Sequence, residues 1–186
     1  MPILAPETNL QPSNLLDLDH VGGDPSRRWW AVYTLSRREK EFMRRLQALQ
    51  GSFYCPIIPQ RGKSPAGRMR ISYLPLFTNY VFLCGDENAP YQAMTTNCVS
   101  QCVEVIDGEQ LTQDLRQIRD LIDAGVPVTR ESRLDAGDAV RVKTGNFRGY
   151  EGKIIQREGQ TRLLVAVKFM QQGASVVLED CEVEPL

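Results

Sequence analysis

A chain of 186 residues is longer than most single domains, so two compact domains, or one domain with an appendix, are expected. Apolar residues make up 42% of the sequence and charged residues 24%, as in a globular protein with a buried core, and no run of about 18 apolar residues exists to span a membrane. No signal-peptide pattern is present, and five scattered cysteines suit a reducing compartment, so we expect a cytoplasmic protein.

The net charge of −1 hides an asymmetry along the chain. Residues 26–85 carry eleven basic residues and two acidic ones, a net charge of +9, and the rest of the chain sums to −10. So large a local excess predicts a surface that faces a polyanion. The alternative is a solvated basic face that has no ligand.

Residues 1–26 are rich in Pro, Asn, Asp and Ser and show no sustained periodicity. This composition predicts a flexible tail. Within it, the apolar stretch from Leu15 to Leu18 could still dock as a short turn.

Ordered structure is predicted to begin with WWAVYTL, residues 29–35, which has the aromatic and β-branched composition of a strand. Ser36 and Glu39 then have the spacing of a capping box, which predicts a helix over residues 37–49. One face of this helix is apolar and would pack inward, with Phe42, Leu46 and Leu49. The opposite face is basic, with Arg37, Lys40 and Arg44.

Further elements follow in an alternating pattern. Predicted strands cover residues 53–59, 68–74, 79–85 and 99–106, predicted helices cover 90–96 and 112–125, and an exposed, basic hairpin arm covers 60–67. The order β-α-β-β-β-α-β-α predicts an α+β domain over residues 27–125, in which helices flank one antiparallel sheet.

The sequence changes character after residue 125. Residues 126–135 have little periodicity and read as a linker. Residues 136–186 contain short alternating strands separated by glycines, which predicts a small five-stranded β-barrel.

A cluster of glycines lies near the start of this second domain. Gly145, Gly149 and Gly152 surround Phe147, and glycines in such a run permit tight reversals between paired strands. An aromatic residue at so tight a turn has few neighbours to bury it. Phe147 is therefore a candidate docking residue, with plain packing as the alternative.

Three segments together resemble a known family. The run GDAVRVKTGNFRGYEGKI, residues 137–154, resembles the KOW motif, which also occurs in ribosomal proteins. RWWAVYTLSRREKEFMRRL, residues 28–46, and LPLFTNYVFL, residues 74–83, resemble the two signature blocks of the NusG N-terminal domain. The order and spacing are those of the family, so the resemblance covers residues 28–186.

The resemblance implies a transcription elongation factor without catalytic residues, metal or cofactor. Its N-terminal domain would hold the tip of the RNA polymerase clamp helices in an aromatic cavity, its basic surface would touch the non-template DNA strand, and its KOW domain would recruit a small-subunit ribosomal protein or a termination factor. The matching residues are Tyr33, Phe77, Tyr80 and Phe82 for the polymerase; Arg37, Lys40, Arg44, Arg68 and Arg70 for DNA; and Gly145, Phe147 and Gly149 for the KOW partner. For the four aromatic residues, packing in the core is the alternative.

Thr78 and Asn79 stand where many general members of the family have a Pro-Gly pair. The form Leu-Phe-x-Asn-Tyr looks more like the operon-specific, RfaH-type antitermination factors. Some of these store the C-terminal domain as a helical hairpin. Alternating Val, Ile and Thr over residues 139–179 instead predict a permanent barrel.

Other classes of function find little support. The only histidine, His20, lies in the predicted tail, which leaves no ordered candidate for histidine-based catalysis. Cys98 and Cys102 have no second cysteine pair at zinc spacing, so core packing is favoured. The main alternative is a ribosome-associated or RNA-binding KOW module, in which the strand YVFL would stack RNA bases.

Overall fold

The computed structural model describes residues 7–17, 26–63, 67–131, 137–179 and 181–186. The chain forms two compact units, which divide between Glu109 and Gln110. Both units contain antiparallel sheets, and the described residues include three helices, so the fold is mixed α/β.

The first unit is built on a five-stranded antiparallel sheet. Its strands are β1 (Leu10–Gln11), β2 (Arg28–Thr34), β3 (Ser52–Tyr54), β6 (Tyr80–Gly85) and β7 (Val99–Glu104). They lie in the order β1-β3-β6-β2-β7, so β6 and β2 have a neighbouring strand on both sides. Both of these strands are rich in the aromatic and β-branched residues that pack well on a pleated surface.

Helix α1 (Glu39–Ala48) packs its apolar face against this sheet. Phe42 and Leu46 are buried in one core cluster with Val32 of β2 and Val81 of β6. The spacing of four between Phe42 and Leu46 places both on one side of the helix, as the periodicity predicts. Each such buried side chain stabilises the fold by about 1.5–3 kcal/mol.

The start of α1 differs from the prediction. No side chain among the described residues caps the helix, which begins at Glu39. Arg37 adopts a left-handed backbone with φ 61°, and Ser36 lies in the turn before it, so Ser36 is not the N-cap. Leu49 follows the last helical residue and is exposed, so the predicted inward face is one residue shorter.

Residues 7–17 belong to the first unit and are not a flexible tail. β1 pairs with the edge strand β3, which extends the sheet by one strand. The turn that follows buries Leu15 and Leu16. This agrees with the expectation that the apolar stretch from Leu15 to Leu18 could dock as a short turn. The flexible-tail prediction is wrong for this segment, and the other tail residues, 1–6 and 18–25, lie outside the described residues.

A second helix, α2 (Ala89–Thr95), completes the first unit. Pro90 lies in its first turn, where a missing N–H costs nothing. Ala89 and Ala93 are buried in the same core cluster as α1, whereas Tyr91 is 79% exposed.

A separate two-stranded sheet, which we call the ribbon, consists of β4 (Ile57–Lys63) and β5 (Met69–Pro75). The pairing runs from Ile57 opposite Pro75 to Lys63 opposite Met69. Side chains are exposed on both faces over residues 59–63 and 69–72. The predicted hairpin arm, residues 60–67, is thus part of a longer ribbon, and its residues 64–66 lie outside the described residues.

The second unit contains a six-stranded antiparallel sheet of order β13-β9-β10-β11-β12-β8. The strands are β8 (Thr129–Glu131), β9 (Ala139–Val142), β10 (Glu151–Arg157), β11 (Gln160–Val167), β12 (Gln172–Val177) and β13 (Val183–Pro185). Five of them correspond to the predicted strands. β8 is a sixth, and it corrects the predicted linker, residues 126–135, of which 132–136 lie outside the described residues.

Helix α3 (Gly108–Asp123) contains the division between the two units, which follows its second residue, Glu109. The sequence places this helix at the end of a domain that spans residues 27–125 and starts it at Thr112. In the structure the helix starts four residues earlier, and most of it belongs to the second unit.

Side-chain hydrogen bonds explain why α3 belongs to the second unit. Asp114 Oδ2 accepts from the backbone N–H of Lys168 at 2.9 Å, and Gln117 Oε1 accepts from the backbone N–H of Glu151 at 3.3 Å. Both donors follow or begin strands of the six-stranded sheet. Pairing of these backbone groups avoids the cost of leaving them unsatisfied, and sequence periodicity carries no sign of it.

A buried polar network attaches β8 to the sheet. Arg162 Nε donates to Ser175 Oγ at 2.8 Å, and Arg162 Nη2 donates to Thr129 Oγ1 at 2.7 Å. Ser175 Oγ in turn donates to Glu131 Oε1 at 2.7 Å. The network joins strands β8, β11 and β12 by charge-assisted hydrogen bonds.

Candidate functional site

Tyr33 and Tyr80 form an exposed aromatic pair on the first unit. They lie directly opposite each other on β2 and β6, with ring centroids 5.2 Å apart in an edge-to-face arrangement. Tyr33 is 38% exposed and Tyr80 is partly buried. Two of the four predicted polymerase-binding residues are therefore brought together at the surface.

Phe77 and Phe82 lie beneath the surface. They are 1% and 0% exposed and pack edge to face against each other, with centroids 6.5 Å apart. Phe82 lies on the same side of β6 as Tyr80, but it is paired with Ala31 further inside the sheet. The predicted cavity of four accessible rings therefore reduces to a surface pair, and the two phenylalanines belong to the core.

A turn at Asn79 supports the aromatic pair. Asn79 has a left-handed backbone with φ 65°, and its N–H donates to Glu39 Oε1 at 2.8 Å. Its carbonyl accepts from the N–H of Thr34 at 2.8 Å, and its side-chain Nδ2 lies 3.3 Å from the hydroxyl of Tyr33. Sequence reasoning missed this arrangement, although an Asn just before a strand is a signal for a left-handed turn.

The basic residues predicted to face DNA lie on two different elements. Arg37 precedes α1, while Lys40 and Arg44 are on it. Arg44 Nη1 is paired with Glu7 Oε1 at 2.9 Å, whereas Arg37 and Lys40 form no ion pair with any residue that the structure describes. An exposed pair such as Arg44–Glu7 contributes about 0–1 kcal/mol, so it leaves Arg44 able to exchange partners.

Glu41 reduces the positive charge of α1 in part. Its carboxylate accepts hydrogen bonds from both Arg45 and Arg38. These two hydrogen bonds, that of Arg45 first, hold the pKa of Glu41 below its ordinary value. The carboxylate therefore stays charged in mildly acidic solution.

Arg68 and Arg70 lie on the ribbon. Residues 57–75 contain four basic residues and no acidic one. Arg61 and Lys63 stand on the opposite strand, each beside an exposed apolar residue of β5, Ile71 and Met69. The ribbon thus carries basic and apolar groups side by side.

The glycine-rich turn of the second unit encloses Phe147. Gly145 and Gly149 have φ 85° and 88°, and the N–H of Gly149 donates to the carbonyl of Val142 at 2.8 Å. The turn folds back over Phe147, which is 5% exposed and contacts Tyr150 edge to face at 6.0 Å. Gly145 and Gly149 have the positive φ that turn chemistry predicts, whereas Gly152 lies within β10 without it. Phe147 is buried, as in the plain-packing alternative, and not exposed.

A cavity of 410 Å³ adjoins this turn within the second unit. Its lining residues are Gln113, Arg116, Gln117 and Asp120 of α3 and Arg148, Gly149, Tyr150 and Glu151 of the turn and β10. Burial raises the pKa of the Tyr150 hydroxyl, so this group stays protonated. The walls combine both signs of charge with hydrogen-bonding groups, which suits a polar side chain of a partner.

The cysteines of the first unit are structural in character. Cys55, Cys84 and Cys98 are buried, and burial raises the pKa of the Cys84 and Cys102 thiols to about 11. A raised pKa disfavours the thiolate that metal binding and nucleophilic chemistry require. Among the described residues, His, Cys, Asp and Glu form no group of three or more that could hold a metal ion.

Within the same described part of the chain, no helix combines the length and apolar character that a membrane crossing needs.

Comparison with known proteins identifies the family. The family described as "Transcription termination factor nusG" matches residues 27–122, just over half of the chain. The match spans both signature blocks, β2 with α1 and the segment through β6.

Two solved structures are similar to this chain. One, titled "Domain interaction in Thermotoga maritima NusG", shares 24% identity with a TM-score of 0.44 and covers 86% of this chain and 97% of that one. The other, titled "Crystal Structure of MjSpt4:Spt5 complex conformation B", shares 14% identity with a TM-score of 0.28 and covers 85% of this chain and 97% of that one. A search of curated proteins gave no match. On the strength of the family match over residues 27–122, the chain belongs to the NusG family of transcription factors.

Proposed function

We propose that this chain is a transcription elongation and antitermination factor that binds RNA polymerase through Tyr33 and Tyr80. The observation that carries the proposal is the exposed, edge-to-face pair of these rings on two neighbouring strands. Both strands have a partner on each side, so the pair has a rigid base. The protein would act as a monomer in the cytoplasm, where the polymerase works.

Tyrosine pairs suit a protein partner for physical reasons. Each ring offers a large apolar face at a low cost in conformational entropy, and each hydroxyl can bond to a polar rim. Residues of this type at the centre of an interface often cost 2 kcal/mol or more when truncated to alanine. The buried Phe77 and Phe82 would support the pair from below.

The decisive test measures binding to multisubunit RNA polymerase core enzyme purified from the source organism. Tyr33→Ala and Tyr80→Ala should each weaken binding about 10-fold or more. Tyr91→Ala is the matched control, because this ring is also exposed on the first unit but lies on α2. Equal binding by all three variants, with thermal unfolding unchanged, would overturn the proposed docking site.

The basic residues support a second contact, with the non-template DNA strand. Arg37 and Lys40 at α1, and Arg68 and Arg70 on the ribbon, would attract phosphates without reading sequence. Reversal of charge at both ribbon positions, Arg68→Glu with Arg70→Glu, should weaken binding to a transcription bubble and flatten its salt dependence. Unchanged salt dependence would exclude the ribbon from the DNA contact.

We further propose that the second unit is a KOW domain that recruits a small-subunit ribosomal protein or a termination factor. Phe147 would act from inside, by holding the turn from Gly145 to Gly149 in shape beside the cavity. Arg148 is exposed on this turn and lines the cavity. Arg148→Glu should abolish partner binding while polymerase binding persists, as measured by pull-down with each purified candidate.

Asn79, with Thr78, supports an operon-specific role of the RfaH type over a general one, because these residues replace a Pro-Gly pair. The RNA-binding alternative requires exposed rings along YVFL. Val81, Phe82 and Leu83 are all buried, so Tyr80 is the one ring of this strand that reaches the surface. Transcription of a plasmid library of leader sequences, with and without the protein, would separate specific from general activity.

A further inference from the structure

The backbone at residue 79 has a conformation that few side chains adopt. Its φ of 65° lies in the left-handed region, which glycine occupies without strain and asparagine tolerates better than most residues. Two hydrogen bonds hold it there, from its N–H to Glu39 and from Thr34 to its carbonyl. The turn is therefore fixed by its neighbours on both sides.

Glu39 is the buried residue whose carboxylate accepts the hydrogen bond from the Asn79 N–H. Its side chain is 6% exposed, and it is the first residue of α1. The positive end of the helix dipole favours a carboxylate at that position, which lowers the cost of its burial. Since Glu39 does not cap its own helix, its contact with the Asn79 N–H links α1 to the strand that carries Tyr80.

The side chain of Asn79 makes a contact that glycine could not. Its amide lies 3.3 Å from the hydroxyl of Tyr33, and a tyrosine hydroxyl can donate or accept, so the contact is a hydrogen bond in either orientation of the amide. The contact is made by the amide nitrogen Nδ2, and the amide oxygen Oδ1 is buried without a hydrogen-bond partner among the described residues. The hydrogen bond to Tyr33 is therefore the interaction that an asparagine side chain adds at this position.

We propose that Asn79, held by Glu39, is a positioning residue that sets the orientation of the Tyr33 ring in the docking pair. This inference rests on the proposed binding of RNA polymerase by Tyr33 and Tyr80. Asn79 directly precedes Tyr80 in the sequence, and Tyr80 lies opposite Tyr33 on the neighbouring strand. Asn79 is therefore linked to both tyrosines, to Tyr80 by the peptide bond and to Tyr33 by the side-chain hydrogen bond. A glycine at residue 79 would keep the turn and release the ring.

A double-mutant cycle on the full chain tests the proposal. Asn79→Gly and Tyr33→Phe each remove one partner of the hydrogen bond and keep the backbone or the ring. Each should weaken binding to the RNA polymerase core enzyme about three- to tenfold, the worth of one hydrogen bond. The double variant should bind no more weakly than either single one, whereas multiplied effects would overturn the coupling.

Conservative variants separate positioning from stability. Asn79→Asp tolerates the same backbone and keeps an acceptor for the Tyr33 hydroxyl, so it should restore binding, while Asn79→Gly should not. Glu39→Gln keeps an acceptor for the Asn79 N–H and should bind better than Glu39→Ala. Failure of both rescues, at equal melting temperature, would show that the side chain does not position the ring.

A readout in the absence of polymerase makes the two proposals distinguishable. In Asn79→Gly the NMR signals of the Tyr33 ring should shift and those of Tyr91 should not. If they shift while Tyr33→Ala leaves polymerase binding intact, the positioning is real and the docking function is wrong. If they stay in place, the positioning proposal fails whatever the binding data show.

Discussion

The buried guanidinium of Arg162 donates hydrogen bonds to both the hydroxyl and the backbone carbonyl of Ser175 on the neighbouring strand. Through the same hydroxyl it is connected to Glu131. A cation, an anion and a hydroxyl thus share one buried site in the second unit. Loss of one member of such a site costs stability, because it leaves a buried charge or polar group uncompensated.

Arg162→Ala should therefore be severely destabilising. The change removes the donor to Ser175 and Thr129 and takes a cation out of the buried network, in which Glu131 keeps Ser175 Oγ and Arg157, whose Nε is 3.6 Å away. We expect a loss of about 3–5 kcal/mol in the free energy of unfolding, measured by chemical denaturation. The control is Arg141→Ala, which breaks an exposed pair with Glu151 and should change the free energy of unfolding much less. Similar costs for the two variants would contradict the structure.

The N-terminal segment should contribute to stability. Leu16→Ala empties a buried site and should lower the free energy of unfolding by about 2–5 kcal/mol. Asn14→Ala, at an exposed residue of the same turn, should change it by less than about 0.5 kcal/mol. A flexible tail would give no difference between the two variants in thermal unfolding.

Glu41 should give α1 an acid-sensitive contribution. Its pKa is lowered in the folded state by Arg45 and then Arg38, so its stabilising effect is present above the pKa of the unfolded chain. The effect is lost as the pH falls through the folded pKa. Glu41→Gln should therefore be less stable than the parent at neutral pH and equal to it in strong acid, as followed by urea denaturation across pH. A difference that persists in strong acid would contradict this origin.

The strands of the second unit should form without the first unit and without α3. A fragment of residues 126–186 retains β8 and should give a strand-type circular dichroism spectrum. A fragment of residues 137–186 removes Thr129 and Glu131, so Arg162 keeps only Ser175 as a partner, and this fragment should unfold at lower urea concentration. A helical spectrum from either fragment would refute the expected permanent sheet.

Long periodic elements of the fold could be predicted, and short ones could not. The strand at Trp29 and the helix around Phe42 have their own apolar pattern, which survives in the tertiary structure. β1 and β8 are two and three residues long, and they exist because β3 and β12 offer them an open edge. No pattern of that length can indicate a strand.

Competition between local and distant partners explains the errors at α1. Ser36 and Glu39 have the spacing of a capping box, but Glu39 bonds to Asn79, forty residues away. The distant N–H is partly buried and needs an acceptor, whereas the start of the helix can be satisfied by water. Sequence spacing indicates only the local partner of the Glu39 carboxylate, at the start of α1, and not the distant one.

The sequence predicts which aromatic residues share one face of β6, but not how exposed each of them is. Tyr80 and Phe82 alternate correctly onto one side of β6, and the sequence assigns both to the cavity with core packing as the alternative. Their different exposure depends on how far each lies from the end of the strand and on which residues cover it. These are properties of the assembled sheet, and the preference of a tyrosine hydroxyl for a polar edge was the one usable sign.

The ribbon lets recognition and folding evolve separately. Its exposed residues make little contribution to the core, so exchange of Arg61, Lys63 or Arg70 should alter what the protein touches and leave its stability intact. At about 3.4 Å per residue, each seven-residue strand of the ribbon extends roughly 20 Å. A ribbon of this length could contact several nucleotides of a nucleic acid. Related proteins could thus acquire new binding targets through substitutions in the ribbon, because such substitutions leave the fold stable.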